Sequence, residues 1–208
     1  MVDTNAAQVS ELIHQAQQGN IDAFNHLVLK YQDLLYNYAY TLMGIRQSAE
    51  DTTQESIFKA FQKIHQYRGG SFRCWLFKIV TNTCYDELRR LKHHPVIALD
   101  LENEHDEETE ALVWLFDPHS SVDSIVEQHE FSKKLSHDLD ELPDIYRRVI
   151  TLIDVYEFDY CEASDILKIP LGTLKSRLAR ARFQLKEKLQ LSMKDPSPKF
   201  ATFVAHPI

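Results

Sequence analysis

Three cysteines, five glycines and seven prolines are few for a chain of 208 residues, and each scarcity narrows the choice of fold. Cys74, Cys84 and Cys161 are odd in number and form no CxxC pair, which argues against a disulfide framework or a zinc site, so buried thiols are expected. With so little glycine and proline, and apolar residues recurring at helical rather than alternating spacing, a strand-rich fold is disfavoured and an all-α fold is expected. No apolar run approaches the roughly 20 residues of a membrane span, and the opening MVDTNAAQVSELIHQ lacks the basic-then-apolar order of a secretory signal. No membrane insertion and a cytoplasmic location are therefore expected. Glycine-rich phosphate loops, a His-Glu-x-x-His pair and a nucleophile elbow are all missing, so neither an enzyme nor a bound cofactor is expected. Of the ten histidines, the pair His93-His94 stands alone beside Pro95 and reads as exposed surface, so no metal site is expected.

What is present is charge, unevenly placed. The net charge is −8. Residues 1–91 balance nine basic against nine acidic side chains, residues 92–130 hold one against eleven, and residues 131–208 hold thirteen against eleven. The deficit comes from one short stretch, and that asymmetry says more than the total. Within the stretch, LDLENEHDEETEA carries seven carboxylates between Asp100 and Glu110 with no Lys or Arg. Such a composition repels itself and extends, as a linker does. The apolar run Val113-Trp114-Leu115-Phe116 interrupts it without evident need.

The linker separates two helical patterns. In the first, Gly19-Asn20 breaks an opening segment, after which Ala23, Phe24, Leu27, Val28, Tyr31, Leu34, Leu35, Tyr38 and Leu42 repeat at three and four. Gly44 closes that helix. Ser48 with Asp51 is expected to cap the next, which runs through Ile57, Phe58, Phe61 and Ile64 to Gly69-Gly70. A third helix, from about Phe72 to Leu91, places Phe72, Leu76, Ile79, Val80 and Thr83 on a core face. At 100° per residue, Trp75, Lys78, Asn82, Tyr85 and Arg89 fall on a different side, the pattern of a binding surface.

After the linker, Val122, Ile125, Val126, Phe131, Leu135 and Leu139 resume the helical period. Pro143 starts a further helix through Tyr146, Val149, Ile150 and Ile153. Then come a short helix Tyr160–Leu167, a turn at Lys168-Ile169-Pro170, and a longer basic helix from Leu171 to about Leu191. Short helix, tight turn and longer helix together read as a helix-turn-helix. In the last helix Leu171, Leu174, Leu178, Ala181 and Leu185 are expected to pack inward, with Thr173 helping to cap. Ser176, Ala179, Arg180 and Phe183 then centre the outward face, flanked by Lys175, Arg182 and Lys186 on one side and Arg177 on the other. Seven basic residues against one acidic lie between Lys168 and Lys188. A basic helix fits the major groove, where Arg and Lys meet guanine acceptors and phosphates. A merely solvated basic helix would not require the short helix and turn before it.

These residues resemble a known family. IPLGTLKSRLARARFQL looks like the recognition helix of region four in extracytoplasmic-function (ECF) sigma factors, compact members of the sigma-70 family. Upstream, AEDTTQESIFKAF and YRGGSFRCWLFKIVTNTCYDELRR look like that family's region two. The resemblance implies two small helical domains: residues 1–92 as region two, 93–120 as the acidic linker, 121–192 as region four, and an irregular tail over 193–208. It implies transcription initiation by promoter recognition, with RNA polymerase core and promoter DNA as partners. Asp51, Gln54, Glu55 and Phe58 would dock on the clamp of the largest polymerase subunit, and the flap of the second-largest would receive region four. Tyr67, Arg68, Ser71, Trp75, Lys78, Asn82, Tyr85 and Arg89 would hold the melted minus-ten strand, by stacking on opened bases and following phosphates. Lys175, Ser176, Arg177, Ala179, Arg180, Arg182, Phe183 and Lys186 would meet the minus-thirty-five duplex. An anti-sigma factor is the expected inhibitor.

The chain departs from the family pattern at Lys168 and near Glu157, where glycine is usual, and at Ala163-Ser164. A lysine in a turn needing positive φ would cost about 1 kcal/mol. A stand-alone helix-turn-helix regulator is the main alternative; an adaptor of proteins would leave the basic face and the Trp75 stripe without purpose.

Overall fold

In the computed structural model, residues 4–93 and 134–192 are described, and among them every regular element is helical. The expectations for the linker beyond His93, for Val113–Phe116, for residues 121–133 and for the tail from 193 lie outside the described residues. The chain divides into two compact units, Met1–Pro95 and Val96–Ile208.

The first unit contains α1 (Thr4–Gln17), α2 (Ile21–Met43), α3 (Arg46–Lys63), a 3₁₀ turn (Ile64–Gln66) and α4 (Phe72–His93). Asn20 caps α2 by accepting the Ala23 N–H at 3.1 Å. Gly44, at φ 70°, ends it with its N–H on the Tyr40 carbonyl, the left-handed exit that glycine makes without steric cost. Ser48 does not cap α3. That helix already starts at Arg46 with Ile45 as an unassisted cap, because the two-residue turn Gly44-Ile45 lets the Ala49 N–H reach the Ile45 carbonyl at once. It also stops earlier than expected, at Lys63, and Gly69-Gly70 belong to the loop that follows.

The packing face of α3 is made of small residues. Phe58 and Phe61 are exposed, and the buried stripe is instead Ala49, Thr52, Thr53, Ser56 and Ala60. The hydroxyls of Thr53 and Ser56 donate to the carbonyls of Ala49 (2.7 Å) and Thr52 (2.6 Å), and Thr52 donates to the Met43 sulfur at 3.3 Å. With their hydrogen bonds made locally, these small residues can be buried without orphaned polar groups. They let α3 seat against α2 and α4. The centre of the unit is Tyr38, fully buried, with its ring 4.8 Å from that of Phe77 and its hydroxyl 3.0 Å from Thr81 Oγ1.

In the second unit, residues 134–140 are helical (α5), followed by α6 (Asp144–Ile150), which widens into a π turn (Thr151–Val155), then α7 (Tyr160–Leu167) and α8 (Leu171–Ser192). Leu135, Leu139, Leu142, Ile150, Leu152, Ile166, Leu174 and Leu185 form its core. A capping box starts α7: Asp159 accepts the Glu162 N–H at 2.8 Å, and Glu162 accepts the Asp159 N–H at 3.3 Å. Such reciprocal caps satisfy two orphan donors together. Lys168 ends α7 at φ 54°, and Glu157 also stands at φ 53°, the two places where the sequence lacks an expected glycine. Cys74 and Cys84 are buried as expected, but Cys161 is exposed, since its turn of α7 carries Ala163 and Ile166 inward instead.

Candidate nucleic-acid interface

Three surfaces stand out, each on one unit. The first surrounds the loop between the 3₁₀ turn and α4. Ser71 caps α4, its Oγ accepting the Cys74 N–H at 3.1 Å, and Gly69 and Gly70 take φ 104° and 89° to make the bend before it. The Tyr67 hydroxyl donates to the Gly70 carbonyl at 2.6 Å. From α1, the Gln17 amide donates to the carbonyls of Ile64 (3.1 Å) and Tyr67 (2.7 Å), so the start of the loop is tethered to α1.

This loop borders an open recess of about 540 Å³ whose lining includes Ser10, Lys30, Tyr31, Tyr67, Ser71 and Arg73. Its aromatic side is a cluster. The Tyr67 ring meets Phe72 edge-on at 5.4 Å and Trp75 at 5.6 Å, Phe72 stacks with Trp75 at 5.4 Å, and Tyr31 meets Phe72 at 5.7 Å. Burial pushes the Tyr31 phenol above its ordinary value, with the Arg73 guanidinium pulling the other way. Burial, then the neighbouring Tyr31, do the same to Tyr67. Both therefore remain O–H donors throughout the neutral range.

Trp75, Lys78, Asn82 and Tyr85 are half-buried along one side of α4, while Arg68 and Arg89 are exposed. The Asn82 amide donates to the Lys78 carbonyl, and Arg89 lies 3.5 Å from Asp86. Lys30, Tyr31 and Arg73, together with Val9, Ser10 and Ile13 of α1, line the recess but were not singled out by sequence reasoning. No periodicity within one helix brings α1 and α2 to this loop. The only available cue was Tyr31 and Lys30 at the edge of the α2 apolar stripe.

The second surface is the outer side of α3, where Asp51, Gln54, Glu55 and Phe58 are all exposed, Phe58 to 60%. Their spacing of three and four puts them on one face. Lys59 lies 2.7 Å from Glu55 beside them.

The third surface is α8. Leu174, Leu178, Ala181, Leu185 and Leu189 are buried, whereas Leu171 is 39% exposed because it lies in the first turn, at the edge of the packed stripe. Thr173 does not cap the helix either: it lies within the first turn, and its carbonyl receives the Ser176 hydroxyl at 3.0 Å. Lys175, Ser176, Ala179, Arg180, Phe183 and Lys186 are exposed and Arg177 is half-buried. The Lys175 ammonium lies 5.9 Å from the Tyr160 ring centroid.

Arg182 is the correction on this face. Its Nε and Nη2 donate to both carboxylate oxygens of Asp154 on the π turn, at 3.0 and 2.6 Å, with side-chain exposures of only 14% and 8%. Hydrogen bonding to Asp154 holds the guanidinium pKa up against the opposing effect of burial. The arginine is drawn inward because a buried carboxylate one helix away needs a bidentate donor.

For a metal, His137, Asp138 and Glu141 bring ligand atoms within 4.8 Å of one another, yet the Glu141 carboxylate is already paired with the Lys188 ammonium. No described helix is long and apolar enough to cross a membrane.

Comparison with known proteins matches the chain to a family. Residues 27–94 match the sequence model of sigma-70 region 2, and residues 134–185 match that of sigma-70 region 4. The chain is 32% identical to the ECF RNA polymerase sigma factor SigW of Bacillus subtilis (strain 168) over 88% of its own length and 97% of the relative's. It belongs to the ECF branch of the sigma-70 family. The ECF RNA polymerase sigma-E factor of Haemophilus influenzae is 31% identical, over 86% of this chain and 94% of that one. Among solved structures, the sigma factor RpoE of Bartonella quintana, in complex with the anti-sigma factor NepR, superposes with a TM-score of 0.61 at 25% identity. It covers 83% of this chain and 100% of that one. As an ECF sigma factor the protein acts in promoter-directed transcription initiation by RNA polymerase. Sigma factors are not enzymes.

Proposed function

We propose a division of labour among the three surfaces of this sigma factor. The α4 face and the neighbouring recess hold the melted minus-ten strand. Trp75 and Tyr67 offer rings to unstacked bases, Arg68, Lys78 and Arg89 follow the phosphates, and Ser71, Asn82 and Tyr85 complete the wall. Base stacking on such rings contributes about 1–3 kcal/mol each, so binding the opened strand itself favours melting. Lys30 and Arg73 add cations at the recess.

The outward side of α8 reads the minus-thirty-five duplex through Lys175, Ser176, Arg177, Ala179, Arg180, Phe183 and Lys186. Arg182 is a positioning residue that fixes α8 on the π turn. The Asp51, Gln54, Glu55 and Phe58 face of α3 docks on the clamp of the largest polymerase subunit, and region four meets the flap of the second-largest. Residues 1–92 and 121–192 serve as the two DNA-reading domains, and 93–120 as the linker between them. An anti-sigma factor competes for the exposed apolar positions, as the partner seen with the Bartonella sigma factor suggests.

The observation that carries this reading is the partition of α8: buried Leu174, Leu178, Ala181, Leu185 and Leu189 on one side and exposed Lys175, Ser176, Arg180 and Lys186 on the other. Gel shifts and run-off transcription with and without core polymerase test it. Promoter-specific binding and transcripts that need both core and this protein are expected. Tight specific binding by the protein alone would favour a stand-alone regulator instead.

A further inference from the structure

The centre of the α8 face is not uniformly polar. Ala179 and Phe183 are both exposed, and Phe183, at 62%, is the most exposed large apolar side chain among the described residues of the second unit. Four residues apart on a helix, they are neighbours on its surface and span about 6 Å of its length, or roughly two base-pair steps at 3.4 Å each. Arg180 stands between them in sequence and Lys186 one turn beyond, both exposed, and the next acid is Glu187.

A phenyl ring and a methyl cannot donate to the acceptors of a base edge. In the major groove, the apolar group offered to them is the C5 methyl of thymine. A phenyl held out in water within a cationic face gains by burying such a methyl, and the flanking cations bring phosphates within reach on both sides.

We infer that Ala179 and Phe183 form an apolar strip that reads thymine methyl groups in the minus-thirty-five duplex, so that this sigma factor's specificity rests on methyl contacts as well as on arginine. The inference rests on the proposed role of α8. The charge around the strip points to DNA as its occupant, and a protein partner is the competing outcome.

The test uses the full-length protein bound to core polymerase. A pool of duplexes randomised over the minus-thirty-five region is first selected for binding. Each thymine of the enriched sequence is then replaced singly by deoxyuridine, which removes only the methyl. Loss of one buried methyl should weaken binding about three- to fivefold at one or two positions, and Phe183→Ala should reduce that thymine-to-uracil ratio to near one. Phe183→Leu, which keeps an apolar contact, should retain part of it. Because Phe183 is exposed, neither variant should alter the melting temperature.

If a sequence is enriched but no deoxyuridine weakens binding, or the ratio survives intact in Phe183→Ala, the strip serves another partner and the inference is overturned. If no sequence is enriched at all, it is the underlying role of α8 that fails.

Discussion

The ion pair between Arg182 and Asp154 separates two explanations of a basic residue on a recognition helix. Replacing Asp154 by Ala removes both acceptors, at 2.6 and 3.0 Å, and leaves a guanidinium whose side chain is 14% exposed. Breaking a fully buried pair from one side costs about 3–5 kcal/mol. Arg182 has a long stem and lies near the surface, so part of its charge can return to water, and a cost of about 2–3 kcal/mol is expected. In a small helical unit, each kcal/mol lowers Tm by about 4–8 °C, so the unit's transition should fall by about 10–20 °C in thermal unfolding followed by circular dichroism. Arg182→Ala should cost a similar amount, and the double variant little more, giving a coupling of about 2 kcal/mol. Holoenzyme binding to minus-thirty-five duplex, measured below both transitions, should fall to a similar degree in the two single variants. The positioning role is refuted if the coupling is near zero, or if Arg182→Ala loses DNA binding while Asp154→Ala keeps it.

Lys168→Gly and Glu157→Gly each remove a side chain from a left-handed backbone position, and each should stabilise the second unit by about 0.5–1 kcal/mol, read as a rise in Tm. Phe58→Ser, on an exposed site, should leave Tm within about 2 °C yet weaken holoenzyme assembly more than tenfold in a competition assay. The Lys188 ammonium holds the Glu141 carboxyl below its ordinary value of 4.5. Its small contribution is therefore present above that value and lost as pH falls through the depressed one, so Lys188→Met should flatten the dependence of Tm on pH below about 4.5 and match wild type at lower pH. Arg180→Ala should reduce the slope of log binding constant against log salt by about one, as loss of a phosphate contact does, whereas Lys188→Ala, whose ammonium is paired with Glu141, should leave it unchanged.

Why some of this was legible in the sequence and some was not follows from how each feature is encoded. The bounds of α7 and the start of α8 could be read because Ile166 marks the inward face of α7, leucines mark that of α8, and a proline precedes α8 directly. The inward face of α3 is not marked in that way. There the inward face is made of alanine, threonine and serine, which no hydropathy pattern marks as core, while Phe58 is 60% exposed. Burial of small hydroxylated residues works only because their donors find carbonyls four residues back, a local solution that the pattern of apolar residues does not display.

Pairings across helices were equally silent. Arg182 and Asp154 are 28 residues apart, and from composition Arg182 counted as one more cation on a basic face. Gln17 reaches 50 residues along the chain to the Tyr67 carbonyl, which makes α1 a brace for the loop beside the recess. Helix propensity and periodicity specify each element's own faces, but which charge is left for a ligand depends on what the neighbouring element has already claimed. On α8 the neighbours claim Arg182 and Lys188, and Tyr160 lies close enough to attract Lys175. The cationic face is therefore narrower than the residue count suggests, and the proposed reading of the duplex accordingly centres on Arg180 and Phe183, three residues apart on it and both exposed.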